Sequence, residues 1–217
     1  QKGHGNPAFP NHEWAYDIIQ LPDEGFLAVG SRNRYGQGSK NGLVLRTDKE
    51  GKLLWEKEFL EEGQVEETIY SIINTNNGNY FICSAANSLA EPEVYQPKIA
   101  KMDMEGNIDW QRSFAANGKS YHRFRAAETE KGDIVLVGSS GRQVATGYDE
   151  DAFMVRIDDK GNIIWSYAYG TYDNDDWGWS VFETAQNNLV FVGSTKSFGA
   201  SLFDIYLVGT NAEGISN

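Results

Sequence analysis

The chain has 217 residues, of which 31 are acidic and 19 are basic, so its formal net charge at neutral pH is −12. This charge disfavours nucleic acid and anionic lipid as partners, and no apolar run reaches the ~18 residues that a membrane-spanning helix needs. The 23 glycines, 5 prolines and 13% aromatic residues favour many short strands joined by tight turns.

Four kinds of short strand recur along the chain in a fixed order, at intervals of about 55 residues. Copies of the first kind are residues 14–20, 68–74, 122–128 and 177–183. Copies of the second kind are residues 25–31, 79–85, 133–139 and 188–194. Copies of the third kind are residues 43–47, 99–102, 153–157 and 205–210. The fourth kind has copies at residues 54–59, 109–114 and 164–169.

A motif of the form D-x-x-G-x-x-x-W joins the third strand to the fourth. Its copies are Asp48 to Trp55, Asp103 to Trp110 and Asp158 to Trp165. Asp can accept hydrogen bonds from nearby backbone amides, and Gly can adopt the positive φ of a hairpin bulge. We therefore predict three tight hairpins. We interpret each Trp as a wedge in the core or between units rather than as a stacking platform for a ligand.

A repeat of about 50 residues built from four strands is typical of a β-propeller. We predict an all-β β-propeller of four four-stranded blades in a single domain, residues 1–217. The repeat units are approximately residues 14–59, 68–114, 121–169 and 177–214. The last unit lacks its outer strand, and we expect the N-terminal segment near Ala8 to supply it and close the last blade. The alternative is an open fragment of a larger propeller.

Loops between the second and third strands, and between successive units, are predicted to gather on one face. Long loops on a rigid scaffold are the usual place for binding, and exposed aromatic residues beside Arg suit a sugar or a protein partner. The alternative is that each aromatic side chain packs under its own loop. The candidate ligand-binding residues are Tyr35, Tyr95, Tyr121, Arg123, Arg125, Arg142, Tyr148, Trp177 and Trp179.

Motifs for metals, cofactors and catalysis are weak. The acidic runs 148–151 and 172–178 suit either calcium or the capping of turn amides, and the second run lacks the ligand set of an EF-hand loop. Cys83 is the only cysteine, which excludes an intrachain disulfide, and its apolar surroundings predict a buried thiol. We predict no catalytic residue, no metal site and no cofactor.

The fourth unit resembles a known group of repeats. Residues 169–181, 191–199 and 204–208 look like one repeat of secreted bacterial and archaeal β-propeller proteins, and the resemblance covers nearly all of residues 14–214. Many such proteins in the Bacteroidetes resemble cargo of the type IX secretion system, which implies a secreted or cell-surface location. The group has no common enzymatic activity, so the resemblance implies no catalytic residues.

The hairpin motif is also similar to the tryptophan-docking motif of quinoprotein propellers. Here the Asp is one residue closer to the Gly, and one cysteine cannot form their adjacent-cysteine disulfide, so we predict no quinone cofactor. We predict a secreted or cell-surface binding module that is not an enzyme. Its long-loop face would bind a protein partner or a surface glycan, without nucleic acid or membrane insertion. The alternatives are a carbohydrate-active enzyme with carboxylates from separate loops, and a structural spacer.

Overall fold

The protein is described by a computed structural model that covers residues 11–34, 39–114, 119–144, 147–171, 174–199 and 202–216. The side chains of residues 11, 34, 142–144, 147 and 148 are outside this description. All regular secondary structure in these ranges is β-strand, which confirms the predicted all-β class. The described residues contain no helix of the length and apolarity needed to cross a membrane.

Fifteen strands follow one another along the chain. In the first half they are β1 Asn11–Gln20, β2 Phe26–Arg34, β3 Lys40–Thr47, β4 Leu53–Phe59, β5 Gln64–Asn74, β6 Tyr80–Ser88, β7 Gln96–Met102 and β8 Ile108–Ser113. In the second half they are β9 Ser120–Glu128, β10 Ile134–Val144, β11 Gly147–Ile157, β12 Ile163–Tyr169, β13 Asp176–Glu183, β14 Leu189–Thr195 and β15 Asp204–Thr210.

The strands form four antiparallel sheets in sequence order. They are β1 to β4, β5 to β8, β9 to β12, and β13 to β15. One parallel bridge, Lys40 to Glu66, also joins β3 to β5. The strands predicted within the described residues are present, whereas the outer strand expected near Ala8 lies outside them. The long loop predicted between strands 133–139 and 153–157 is wrong, because most of it continues β10 and β11 as one long hairpin.

The chain divides into two compact units, Gln1–Ser113 and Phe114–Asn217, called unit 1 and unit 2 below. In unit 1, the buried core includes Leu27, Ile69 and Ile82 from the two sheets. In unit 2 it includes Val137, Met154 and Phe191. Each unit is therefore a pair of sheets whose apolar faces pack against each other. The single domain predicted from sequence stays a prediction.

The D-x-x-G hairpins form as the motif predicts. Asp48 accepts a hydrogen bond from the Lys52 amide at 2.7 Å, and Gly51 has a φ of 75°. The same turn recurs at Asp103 and at Asp158. A fourth copy that the motif search missed lies at Asn211, whose Oδ1 accepts from the Ile215 amide at 2.9 Å.

Two of the three tryptophans of this motif, Trp55 and Trp165, are wedges, as interpreted from the sequence. A Cβ added to Gly106 would lie 2.7 Å from the Trp55 ring, and one added to Gly214 would lie 2.8 Å from the Trp165 ring. Each of these indoles therefore packs on the hairpin glycine of the next repeat. Trp165 also donates its Nε1 hydrogen to the Ala212 carbonyl at 3.2 Å.

The first strand of each sheet carries a β-bulge. The extra residue is Tyr16 in β1, Tyr70 in β5 and Trp179 in β13. In β9, Arg123 and Phe124 together oppose Gly138. Bulges change the direction of side chains and occur often beside active sites. The side chains at these bulges are therefore candidates for the functional site.

Candidate functional site

The structure separates the nine sequence-predicted site residues into three groups. Tyr35 lies outside the described residues, as do the side chains of Arg142 and Tyr148. Tyr95, Tyr121 and Arg125 each contact a partner in their own unit. Arg123, Trp177 and Trp179 lie together in unit 2.

The three separate residues have partners within their own unit. Tyr95 donates its hydroxyl hydrogen to Glu66, and burial is the main cause that raises the pKa of this tyrosine. Tyr121 is buried against Phe153, with ring centroids 5.0 Å apart. Arg125 donates to the Phe124 carbonyl at 3.0 Å. Tyr121 therefore packs into the core, as the alternative prediction held, and its buried ring leaves little surface for a ligand.

Four side chains of unit 2 form a cluster at the end of β13, called the aromatic cluster below: Arg123, Trp177, Trp179 and Phe203. The Arg123 guanidinium lies 5.0 Å from the Trp177 ring and 5.5 Å from the Trp179 ring. The Trp177 and Phe203 rings stack with centroids 4.3 Å apart. Trp179 and Phe203 remain 40% and 41% exposed, so each ring keeps an open surface.

Charged side chains flank the aromatic cluster. Trp177 donates its Nε1 hydrogen to Glu150, and Lys196 lies 4.5 Å from the Phe203 ring centroid. Lys196 also pairs with Asp175 at 2.6 Å. Sequence reasoning missed Phe203, Lys196 and Glu150 because β11, β14 and β15 bring them to β13 from distant positions. A single aromatic residue such as Phe203 near the start of a strand gives no sequence signal that it belongs to a functional site.

A second feature, called the acidic pair below, joins Asp151 of β11 to Asp176 of β13. A Cβ added to Gly170 would overlap Asp176 Oδ2 and would lie 2.9 Å from Asp151 Oδ1. The two oxygens therefore lie within about 5.3 Å of each other, no farther apart than the two carboxyl groups of retaining glycosidases. The charges of Asp176 and Asp151 also contribute, after burial, to raising the pKa of Tyr206 to about 12.

Asp176 is fully buried and is held by hydroxyl groups. It accepts hydrogen bonds from Thr195, from Ser197 Oγ at 2.6 Å and from the Thr171 amide at 3.3 Å. The bond from the Thr171 amide is the amide capping that the sequence offered as the alternative to calcium binding. Among the described residues, no group of three or more His, Cys, Asp or Glu side chains is placed to hold a metal ion. Asp151 is the more accessible member, with a side chain 15% exposed.

His122 borders the aromatic cluster through its neighbour Arg123. Burial and the Arg123 charge lower the pKa of His122 to about 4, so the imidazole is neutral at neutral pH. Its Nε2 lies 3.0 Å from the buried Ser120 hydroxyl. A neutral imidazole adds no competing charge beside Arg123.

Comparisons with known proteins give matches at the level of structure. No family model and no curated protein sequence matches the chain. The endo-arabinase from Bacteroides thetaiotaomicron matches with a TM-score of 0.57 and 14% identity, over 91% of this chain and 74% of that one. Bacillus subtilis levansucrase matches with a TM-score of 0.56 and 11% identity, over 92% and 68%.

A third similar structure is the GH43_1 enzyme from Xanthomonas citri complexed with xylose. It matches with a TM-score of 0.55 and 11% identity, over 91% of this chain and 74% of that one. At these identities the likeness shows the fold alone. The antiparallel sheets of the two units therefore belong to a fold that this chain shares with glycan-processing enzymes.

These matches contradict two predictions from the sequence, namely that the chain is not an enzyme and that it is a binding module. The proteins that share its fold are an arabinase, a levansucrase and a glycoside hydrolase. The physical reason for the error is that the repeats specify strands and turns. Asp151 and Asp176 come together only when β11 packs on β13. The findings support the alternative of a carbohydrate-active enzyme.

Proposed function

We propose that the protein is a carbohydrate-active enzyme that cleaves or transfers glycosidic bonds at the aromatic cluster and the acidic pair. The observation that carries this proposal is the approach of two carboxylates, Asp151 and Asp176, in the unit that also carries the exposed rings of the aromatic cluster. Glycoside hydrolysis uses carboxyl groups beside the scissile bond, and Asp151 is the member of the pair that a glycan can reach. Aromatic faces bind the apolar faces of sugar rings.

The two carboxylates have different roles in this proposal. Asp151 is partly exposed, so a glycan can reach it, and we assign it the proton transfer to the glycosidic oxygen. Asp176 has no exposed surface, so it acts through other residues. It holds Thr195, Ser197 and the Thr171 amide, and thereby fixes the edge of unit 2 where Asp151 lies.

Asp151→Asn tests the proposal. The enzyme would be screened for the release of reducing sugar from arabinan, levan, xylan and acidic glycans, because the matched enzymes are an arabinase, a levansucrase and a xylose-bound enzyme. The variant should lower the rate on the active substrate by about 10²–10⁴-fold, which is the usual contribution of a positioned acid or base.

Asp159→Asn is the matched control, because Asp159 is exposed in the hairpin at the other end of β11. It should leave the rate unchanged. Equal rates in the wild type and in Asp151→Asn would contradict the assignment of Asp151. No turnover of any glycan by the wild type would contradict the enzymatic function itself.

Two proposals on architecture and location accompany this function. The four sheets, with their repeated bulges and hairpins, support a β-propeller in which residues 1–10 supply the last outer strand. The resemblance to secreted propeller repeats supports a location outside the cell or on its surface, and a glycan as the partner.

A further inference from the structure

Arg123 has an unusual backbone conformation for its residue type. Its φ is 61°, in the left-handed region that non-glycine residues adopt at a cost of about 1 kcal/mol. In the bulge of β9, Phe124 takes the place of the aromatic extra residue of β1, β5 and β13, and Arg123 directly precedes it. Strain of this kind is maintained where a side chain must be aimed, and in β9 the bulge aims a cation at Trp177 and Trp179.

The Arg123 side chain also differs from three buried arginines of the chain. Arg32 pairs with three carboxylates, Arg46 pairs with Asp23 at 2.6 Å and Arg156 pairs with Asp133 at 2.8 Å. Within the described part of the chain, no carboxylate lies within ion-pair distance of Arg123. In a chain with 31 acidic residues, an exposed guanidinium held only by two indole rings has its donors available for a ligand.

We propose that Arg123 binds the carboxylate of a uronic acid residue in an acidic glycan, with the sugar ring on the open surface of Trp179. The planar guanidinium matches a carboxylate through two parallel hydrogen bonds. The two indoles orient the guanidinium before binding, so less side-chain freedom is lost when the ligand arrives. The proposal rests on the proposed function, because it names the substrate class of that same site.

The surroundings of Arg123 favour a sugar carboxylate over a bare anion. Trp179 is 40% exposed and supplies an apolar surface of the size of a sugar ring, which an inorganic ion would leave unused. The other cation on the aromatic cluster, Lys196 at Phe203, already pairs with Asp175 at 2.6 Å. The cluster therefore offers one planar cation beside one ring surface, which fits a single uronate unit rather than a polyphosphate.

Binding is measured by titration calorimetry with oligogalacturonate, with the same oligosaccharide after reduction of its carboxyl groups to alcohols, and with a sulfated oligosaccharide. The wild type should bind the uronate form and should lose on the order of 10- to 100-fold in affinity for the reduced form, since a hydrogen bond to a charged group is lost. Arg123→Gln should lose a similar factor, and Arg123→Lys should fall between because Lys cannot bind bidentately.

Arg112→Gln is the matched control, because Arg112 is also exposed and lies 5.6 Å from the Trp110 ring in unit 1. It should bind like the wild type. Equal affinity for the uronate and the reduced oligosaccharide, or an Arg112→Gln loss as large as that of Arg123→Gln, would overturn the proposal. Preferential binding of the sulfated form would also overturn it.

Asp151→Asn separates this proposal from the proposed function. It should keep the affinity for oligogalacturonate while losing turnover. Uronate binding that depends on Arg123 without any turnover would contradict the enzymatic function and leave the ligand assignment intact. Turnover that Arg123→Gln leaves unchanged, on neutral and acidic glycans alike, would contradict the ligand assignment and leave the enzymatic function intact.

Discussion

At the scale of single residues, unit 1 contains a buried charged pair. Glu67 is 1% exposed and accepts hydrogen bonds from Ser84 Oγ at 2.7 Å and from Lys98 Nζ at 3.1 Å. Burial raises the pKa of Glu67 above its ordinary value, and the charge of Lys98 opposes that rise. Lys98 also pairs with Glu61 at 2.9 Å, so two carboxylates share one buried cation.

The raised pKa of Glu67 predicts a pH dependence of the free energy of unfolding. The folded state holds the Glu67 proton more tightly than the unfolded state, so the contribution to stability is full below the ordinary Glu pKa. It is lost as the pH rises through the raised value. Glu67→Gln should remove this decrease. Urea unfolding of the wild type and the variant across mildly acidic to neutral pH would measure it.

Glu62→Gln serves as the control, since Glu62 is exposed. It should keep the pH dependence of the wild type. A Glu67→Gln protein whose stability falls with pH as steeply as that of the wild type would show that Glu67 does not titrate in this way.

At the scale of secondary-structure elements, the hairpins are joined by the contact between a tryptophan and the glycine of the next repeat. Gly106 is buried under Trp55, has a φ of 74° and leaves no room for a Cβ. Gly78, in another hairpin of the same unit, has a φ of 79° but nothing within 4 Å of its added Cβ. The two glycines therefore share the backbone requirement and differ only in the packing requirement.

Gly78→Ala and Gly106→Ala separate these two requirements. Gly78→Ala should cost about 1 kcal/mol in the free energy of unfolding, which is the penalty for an L residue in the left-handed region. Gly106→Ala should cost a further 1–3 kcal/mol or so, because the methyl group displaces the Trp55 ring. Chemical denaturation of both variants gives the difference. Equal losses would show that the wedge contact contributes little.

The strands and hairpins were predictable from the sequence because they depend on local chemistry. An Asp whose side chain accepts hydrogen bonds from the amides of its own turn, followed by a Gly at positive φ, forms the same hairpin wherever it occurs. Asp48, Asp103 and Asp158 were therefore sufficient to predict three hairpins. The fourth hairpin was missed because Asn211 replaces Asp while making the same hydrogen bond. The candidate site was only half predictable: Arg123, Trp177 and Trp179 lie on first strands, whereas Phe203 reaches Trp177 and Asp151 reaches Asp176 only through packing.

At the scale of the whole molecule, the sheet β13 to β15 has one strand fewer than the other three. Within the described residues, its last strand bears only one further bridge, from Thr210 to Ser216. The free edge of a strand presents unpaired backbone groups, which proteins commonly cover. This edge supports the proposal that residues 1–10 add the missing outer strand.

Deletion of residues 1–10 tests that proposal. Loss of an outer strand should lower the melting temperature by several degrees, at about 2–4 °C per kcal/mol for a chain of this size. A variant with a Gly/Ser segment of equal length in place of residues 1–10 should show the same loss, since it keeps the length but not the side chains. An unchanged melting temperature after deletion would contradict the closure and favour a fragment of a larger propeller.

The contact between Trp55 and Gly106 gives the chain a direction of assembly. Trp55 and Trp165 are each synthesised about 50 residues before the glycine on which they pack, so the packing of each waits for the hairpin of the following repeat. Trp165 reaches its glycine only at Gly214, close to the last described residue. Removing the few residues that follow β15 would therefore leave the third repeat unfinished, although none of its own residues had been touched.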